Sequence, residues 1–411
     1  TWSYHPHDYQ KEFMTCLYYA ANTFNEKSAL TREILSLEEE IKINETAASR
    51  IIGITIETRP DHITVTELAR LRSYGVTRVQ LGVQHLNDKI LDYINRKCPT
   101  VKTYNAFKLL KENGFKVDAH FMPDLPGSSF DKDMEMFRFL FSEENEEIQA
   151  DQLKIYPTMT TRFTKILEWY RSGLYKPYSD RDNARQLFDL LLYITTHVPK
   201  WIRLNRIVRD IPGTVIEGKF KETNMYQRIL NYMKTHNLQG RDIRSREVKM
   251  LQINQDKCRL FVSQYRSSGG TEYFISFETL DQTQLLGFAR LRINDDSLSP
   301  CFNELKNATL LRELHVYGKL VNQDSKSSGY QQHGGIGKQL LSKAEEISKN
   351  NNYKKMAIIS GTGVRQYYQK HCYILEGTYM TKLLSKPNDC KPKIDYKKIT
   401  QFIVPVVTAS L

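Results

Sequence analysis

The 411-residue sequence has no apolar run approaching the roughly 18 residues that a membrane-spanning helix needs, so no transmembrane helix is expected. No signal-peptide pattern is read at its start. Its six cysteines, Cys16, Cys98, Cys258, Cys301, Cys372 and Cys390, include no CxxC pair. Such scatter argues against a disulfide framework and a self-contained zinc site, and it fits a reducing, cytoplasmic setting. No internal repeat occurs. Met is missing from position 1, and Thr1-Trp2-Ser3 reads as the start of a fragment or trimmed chain. Acidic residues are in short supply: 47 Asp and Glu stand against 59 Lys and Arg, a net charge of +12. That surplus favours a polyanionic partner, nucleic acid first, over a merely solvated basic face.

What is present begins with strand-then-helix alternation. Residues 8–26 and 30–49 read as helices, and Ile51–Ile56 as a short buried strand. Further strands are expected at 77–83, 115–122, 153–156 and 201–207. Helices are expected between them at 87–94, 101–112, 131–142, 161–172 and 180–197. Repetition of this kind implies a parallel sheet, open or closed into a partial barrel. Ligands of such sheets sit beyond the carboxyl ends of the strands. The polar loops ETRPD, GVQH, MPDLPG, YPT and RDIP all follow strand runs and should converge on one site.

After a linker-like break at 212–223 and a helix at 224–236, the pattern changes. Segments 246–254, 258–265, 271–278 and 285–293 are short strands separated by turns, as in an antiparallel meander. Then come RELHVYG (312–318) and QHGGIGKQLL (332–341), a strand followed by a glycine-rich turn and a helix. Glycines let backbone amides approach a ligand closely, and the first amides of a helix carry partial positive charge. Such a turn suits a pyrophosphate. The spacing Gln332-His333-Gly334-Gly335-Ile336-Gly337 resembles the coenzyme A loop of the GNAT acetyltransferases. GVRQYYQK (363–370) resembles that family's final helix, with its Tyr near the thioester sulfur.

With both halves in view, the sequence resembles the catalytic subunit of Elongator, the radical-SAM/GNAT family that modifies the tRNA wobble uridine. GITIETRPD (53–61), TRVQLGVQ (77–84), FKVDAHFMPDLPGS (115–128), LKIYPT (153–158), SGLYKPYS (172–179), RIVRDIP (206–212) and RDIRSREV (241–248) carry the resemblance, together with the three segments above. It implies an α/β chain: a radical-SAM partial (βα) barrel at 1–212, a linker and helix at 213–240, and a mixed α+β GNAT acetyltransferase domain at 241–411. It also implies a reaction. S-adenosylmethionine, reduced by a 4Fe-4S cluster, gives a radical that takes hydrogen from the acetyl group of acetyl-CoA. The carbon radical adds to C5 of the uridine, and hydrolysis leaves a carboxymethyl group.

The resemblance implies these site residues. Glu313, Leu314, His315, Val316, Gln332, Gly335, Ile336, Gly337, Lys338 and Tyr368 would hold acetyl-CoA, with Tyr367 packed in the core. Glu57, Arg59 and Gln80 would hold S-adenosylmethionine, while Lys154, Tyr156 and Tyr368 would be catalytic. His120 and Asp124 would line the same mouth, and Arg203, Arg206 and Arg209 would form a basic cluster for the tRNA backbone. The family's three closely spaced cluster cysteines have no counterpart here, since Cys16 and Cys98 are isolated. The chain as given is therefore expected to hold no metal and to make no radical, leaving tRNA-stimulated acetyl-CoA hydrolysis. Implied partners are tRNA, with other Elongator subunits or a second copy of the chain, and no membrane. Two rival readings stay open: a GNAT acetyltransferase acting on protein lysine, and a non-catalytic tRNA-binding module.

Overall fold

The computed structural model describes residues 1–25, 32–209, 211–219, 221, 224–248, 257–317, 335–384, 402–403 and 407–409. Two sheets organise it. The first holds β1 (Ile54–Thr58), β2 (Val76–Gln84), β3 (Lys116–Phe121), β4 (Gln152–Ile155) and β5 (Arg203–Ile207), side by side in chain order and all parallel. The second holds β6 (Cys258–Arg266), β7 (Gly270–Thr279), β8 (Leu285–Asn294), β9 (Thr309–Val316), β10 (Lys355–Ile358), β11 (Ile374–Glu376) and β12 (Tyr379–Leu383). Its order is β11-β12-β10-β9-β8-β7-β6, and it is antiparallel except for the β9–β10 pair. The expected fold class, a parallel α/β unit followed by a mixed α+β unit, is the one found.

Alternation along the parallel strands explains the layering. Successive side chains point to opposite faces of a sheet. Val79, Leu81 and Val83 of β2, Val117, Ala119 and Phe121 of β3, and Leu153 and Ile155 of β4 all join the main hydrophobic core. Helices cover that face. Leu68 and Leu71 of Val65–Ser73, Phe107 and Leu110 of Thr100–Glu112, Phe137 and Leu140 of Phe130–Phe141, and Leu187, Leu190 and Leu191 of Arg185–His197 belong to the same core. Burying one such side chain is worth about 1.5–3 kcal/mol. The intervening strand positions, Gln80, Asp118, His120, Gln152 and Lys154, are polar.

Several expectations change in detail. The second helix runs only Leu37–Asn44, opened by a Ser36/Glu39 capping box. The helix expected from 161 starts at Lys165, because Thr164 caps it by accepting from the Leu167 amide. Where a strand was expected from Arg246, Ile243–Arg246 is a short helix capped by Asp242, and Glu247 makes a single bridge to Leu285; residues 249–254 lie outside the described set. A further strand, β13 (Val407–Ala409), lies in parallel beside β1.

The two units share a seam of buried charge. Where β9 pairs with β8, the register shifts between Leu311 and Glu313, leaving Arg312 in a bulge. Its guanidinium meets Asp151, Glu272 and the Phe115 carbonyl, all in the interior. Lys111, Arg290 and Arg292 complete the network.

Candidate active site

The polar face of the parallel sheet is built by register. Glu57, Gln80, Asp118 and Gln152 lie directly across from one another on β1 to β4. One step further toward the carboxyl ends come Gly82, His120 and Lys154, with Arg206 of β5 beside Lys154. Strand alternation puts Gln80 and Gln84, Asp118 and His120, and Gln152 and Lys154 on this one face. Hydrogen bonds then join the row. Lys154 Nζ donates to Gln80 Oε1 at 2.9 Å, and Gln80 Nε2 donates to Asp118 Oδ2 at 3.2 Å. Asn205 Nδ2 donates to the same carboxylate at 2.8 Å and to Gln152 Oε1 at 2.5 Å. His120 Nδ1 stands 3.9 Å from Glu57 Oε1, and its ring lies edge-on to Tyr156 at 6.0 Å.

Burial sets the protonation here. Desolvation pushes the Asp118 carboxyl up to about 6, against the pull of Lys154 and Arg78. His120 is pushed down to about 3 by desolvation and then by the Lys154 charge, so its imidazole is neutral at pH 7. Burial raises the Tyr156 phenol. Three buried polar atoms, Gln84 Oε1, Asp118 Oδ1 and His120 Nε2, have no protein partner. Buried polar atoms are ordinarily satisfied, so this face has bonding capacity to spare. That capacity fits a polar ligand rich in donors and acceptors, as S-adenosylmethionine is. An iron–sulfur cluster is a different case: among the described residues no group of three or more His, Cys, Asp and Glu side chains is placed to hold a metal ion.

The expected site residues divide. Glu57, Gln80, Lys154 and Tyr156 are brought together. Arg59 lies just beyond β1, but Asp61 grips it at 2.9 and 2.7 Å, and it also donates to the Lys97 carbonyl. The three arginines do not form one cluster. Arg203 turns into the seam between the units, onto Glu247 at 2.7 Å and the Tyr317 hydroxyl at 3.0 Å, while Arg206 and Arg209 are exposed. Asp124, expected in the mouth, is a loop staple instead: it accepts from the amides of Tyr178 and Ser179. Three residues of the row, Asp118, Gln152 and Asn205, escaped the sequence reading. The alternation Val-Asp-Ala-His-Phe (117–121) carried the signal for Asp118, since the polar positions share a phase.

The second unit builds another cradle. Gly335 opens helix Ile336–Asn350 with φ +82, a left-handed backbone that favours glycine. A Cβ on Gly337 would stand 2.8 Å from the Tyr367 hydroxyl and 3.6 Å from Val316 Cγ2. Lys338 is exposed, and Ile336 is buried against the sheet. The missing Cβ at Gly337 lets the Tyr367 hydroxyl close on the first helical turn beside β9, and the amides of that turn are the groups a pyrophosphate would need. Gln332 lies outside the described residues. On β9, Glu313 is bonded to Arg290 Nε at 2.9 Å; Leu314 and Val316 pack against the core below, and His315 lies 4.4 Å from the Tyr317 ring. The tyrosine assignment reverses. Tyr368, expected at the thioester, is packed in the core against Tyr373, and Tyr367, expected in the core, presents its hydroxyl at Gly337.

A parallel sheet with a polar interior face at its carboxyl ends defines the class, and comparison agrees. Residues 20–140 match the Radical SAM superfamily, and residues 150–235 match the Radical_SAM C-terminal domain. The chain is 38% identical over 385 residues to Elongator complex protein 3 of Schizosaccharomyces pombe, covering 92% of this chain and 68% of that protein. It is 39% identical over 363 residues to a tRNA uridine(34) acetyltransferase of Methanocaldococcus infernus, covering 86% of this chain and 66% of that protein. A solved structure of the archaeal Methanocaldococcus infernus Elp3 with an N-terminal deletion superposes with a TM-score of 0.82 at 36% identity, covering 93% of this chain and 88% of that one. The chain belongs to the Elongator complex protein 3 family, and it spans about two thirds of the length of these curated relatives.

Proposed function

We propose that this chain is the greater part of a radical-SAM transferase that modifies the wobble uridine of tRNA at C5, with acetyl-CoA as the source of the added group. The observation that carries the reading is the joined polar row Lys154–Gln80–Asp118–Asn205 at the carboxyl ends of a parallel sheet, with unsatisfied atoms at Gln84, Asp118 and His120. When bound, S-adenosylmethionine with its reducing cluster supplies hydrogen-atom abstraction, and acetyl-CoA supplies the acetyl carbon.

The chain's own residues have distinct tasks in this reading. Gln84 and His120 offer hydrogen bonds to the cofactor. Neutral His120 neither donates a proton to the acetyl group nor repels a cationic sulfonium. Lys154 holds its charge toward the RNA side and orients Gln80. Tyr156 offers a phenol and a ring face to the uridine. The first amides of the helix opened by Gly335 would meet the pyrophosphate, and the Tyr367 hydroxyl, packed at Gly337, would stand at that same end of the ligand. The seam of buried ion pairs holds β9 against β4, so that the two ligands meet at a fixed separation.

The test is acetyl-CoA hydrolysis by this chain, with and without tRNA and with a lysine-rich peptide as rival acceptor. Hydrolysis that rises with tRNA is the expected result. Acetyl transfer to the peptide, indifferent to tRNA, would overturn the reading in favour of a protein acetyltransferase.

A further inference from the structure

The segment leaving β4 contains a conflict between sequence and backbone. Its periodicity predicts a helix from 161, yet the helix begins only at Lys165, with Thr164 as its cap. Between Arg162 and Thr164, Phe163 adopts φ +62 and is fully exposed to solvent. A left-handed backbone is a genuine outlier for a bulky side chain, and full exposure forgoes the burial that an aromatic ring would gain. Both flanks impose the conformation. Thr161 bridges to Ile216, the Glu217 amide donates to the Thr160 carbonyl at 2.9 Å, and Arg162 Nε meets Glu217 Oε1 at 2.6 Å. On the other side, the Thr164 hydroxyl donates to the Thr161 carbonyl at 2.6 Å. The ring is thus held outward by its neighbours, at a backbone cost that glycine would not carry.

Its surroundings are basic. Within 161–176, Arg162, Lys165, Arg171 and Lys176 outnumber the one acid of the segment, Glu168, and remain in excess when Glu217 is added. Glu168 pairs with Lys165, and Glu217 is shared between Arg162 and Arg171. Aromatic faces set among cationic side chains are the physical basis of unpaired nucleic-acid binding, because every base has a π face and every linkage a phosphate. The segment also issues from the same sheet end as Lys154 and Tyr156.

We propose that Phe163 is a stacking platform for an unpaired nucleobase of the RNA substrate, an inference that rests on the RNA-modifying reading above. The experiment compares binding of a short single-stranded RNA and of a blunt RNA duplex of equal charge, at one salt concentration, to the full chain and to Phe163→Ala, Phe163→Leu, Phe163→Trp and Phe163→Gly. Stacking predicts a loss of about ten- to a hundredfold in single-strand affinity for Phe163→Ala and Phe163→Leu. Duplex affinity should be unchanged, and Phe163→Trp should retain wild-type binding. Phe163→Gly should lose single-strand affinity equally while melting no earlier than wild type, which separates loss of the ring from loss of the fold. Equal losses on single strand and duplex, or wild-type binding by Phe163→Ala, would overturn the proposal and leave the RNA reading standing. A wild-type chain that binds neither RNA would overturn both.

Discussion

The Asp151 carboxylate holds the Arg312 guanidinium by two bonds, Oδ1 to Nη2 at 2.5 Å and Oδ2 to Nη1 at 3.0 Å, with neither side chain exposed. One residue immediately precedes β4 of the first sheet, and the other sits in the bulge of β9 in the second. The same carboxylate accepts from the Val117 amide at 2.8 Å and from Lys111 Nζ at 3.3 Å. Removing one partner of such a pair leaves an uncompensated buried charge, which costs about 3–5 kcal/mol. Asp151→Ala should therefore lower the unfolding free energy obtained from urea titration by that amount. It should also lower acetyl-CoA turnover through looser positioning of β9. A change below about 1 kcal/mol would place this pair in the class of surface ion pairs and count against the seam.

The pH dependence of two buried carboxylates runs in opposite directions. Asp151 is held well below its ordinary range, with the Arg312 and Lys111 charges outweighing burial. Its stabilisation is present above the unfolded value of 3.8 and is lost as pH falls toward its lower folded value. Asp118 is pushed up to about 6. Its protonated form is favoured in the fold, so its contribution is full below 3.8 and is lost as pH rises through about 6. The stability of Asp118→Asn relative to wild type should accordingly rise by up to about 3 kcal/mol between pH 4 and pH 7. Urea midpoints across that range check it, and a flat difference would show that the Asp118 carboxyl is not raised.

Lys154 is the only residue bonded to Gln80 Oε1 among the described contacts. Lys154→Ala should remove the cation from the polar row while sparing the fold. The expected outcome is a loss of about tenfold in tRNA-stimulated hydrolysis of acetyl-CoA, from one charge-assisted contact. Basal acetyl-CoA affinity should be unchanged. Stimulation equal to wild type would remove Lys154 from the site.

Gly287 lies under the crossing of β9 and helix Ile336–Asn350. A Cβ there would stand 2.9 Å from the His315 carbonyl oxygen and 3.3 Å from both Ile336 Cγ2 and Leu340 Cδ1. Backbone cannot yield as a side-chain tip can, so Gly287→Ala should push strand and helix apart. Overpacking of this kind costs about 1–3 kcal/mol. Calorimetry of acetyl-CoA binding should show weaker affinity, together with a lower melting temperature. Normal affinity in a destabilised variant would place the cradle elsewhere.

How much of this was legible in the chain depends on the kind of order. Alternation in TRVQLGVQ separates Val79, Leu81 and Val83 from Gln80, Gly82 and Gln84, so the strand and its polar face can both be read. The strand-then-helix repeat gives the parallel sheet, whereas the caps at Ser36, Thr164 and Asp242, and the helix starts beside them, escaped the sequence reading. Tyr367 and Tyr368 show the limit. They are neighbours on a five-residue helix, Arg365–Gln369, too short for a periodic stripe to orient it. Which ring enters the core was settled by docking against Tyr373 on one side and Gly337 on the other.

Local chemistry by itself determined the strands of the parallel sheet, their order, the glycine-rich helix start and the polar phase of the strands, because period and backbone freedom act within a few residues. Tertiary structure alone decided that Arg203 belongs to the seam and not to a basic surface, that Asp118 and Asn205 complete the polar row, and that Phe163 is held outward. Each of those outcomes depends on partners far along the chain: Glu247 and Tyr317 for Arg203, Gln80 for Asp118, and Ile216 and Glu217 for the frame around Phe163. Charge and burial at these positions are set by what folding brings alongside, and no window of sequence contains it.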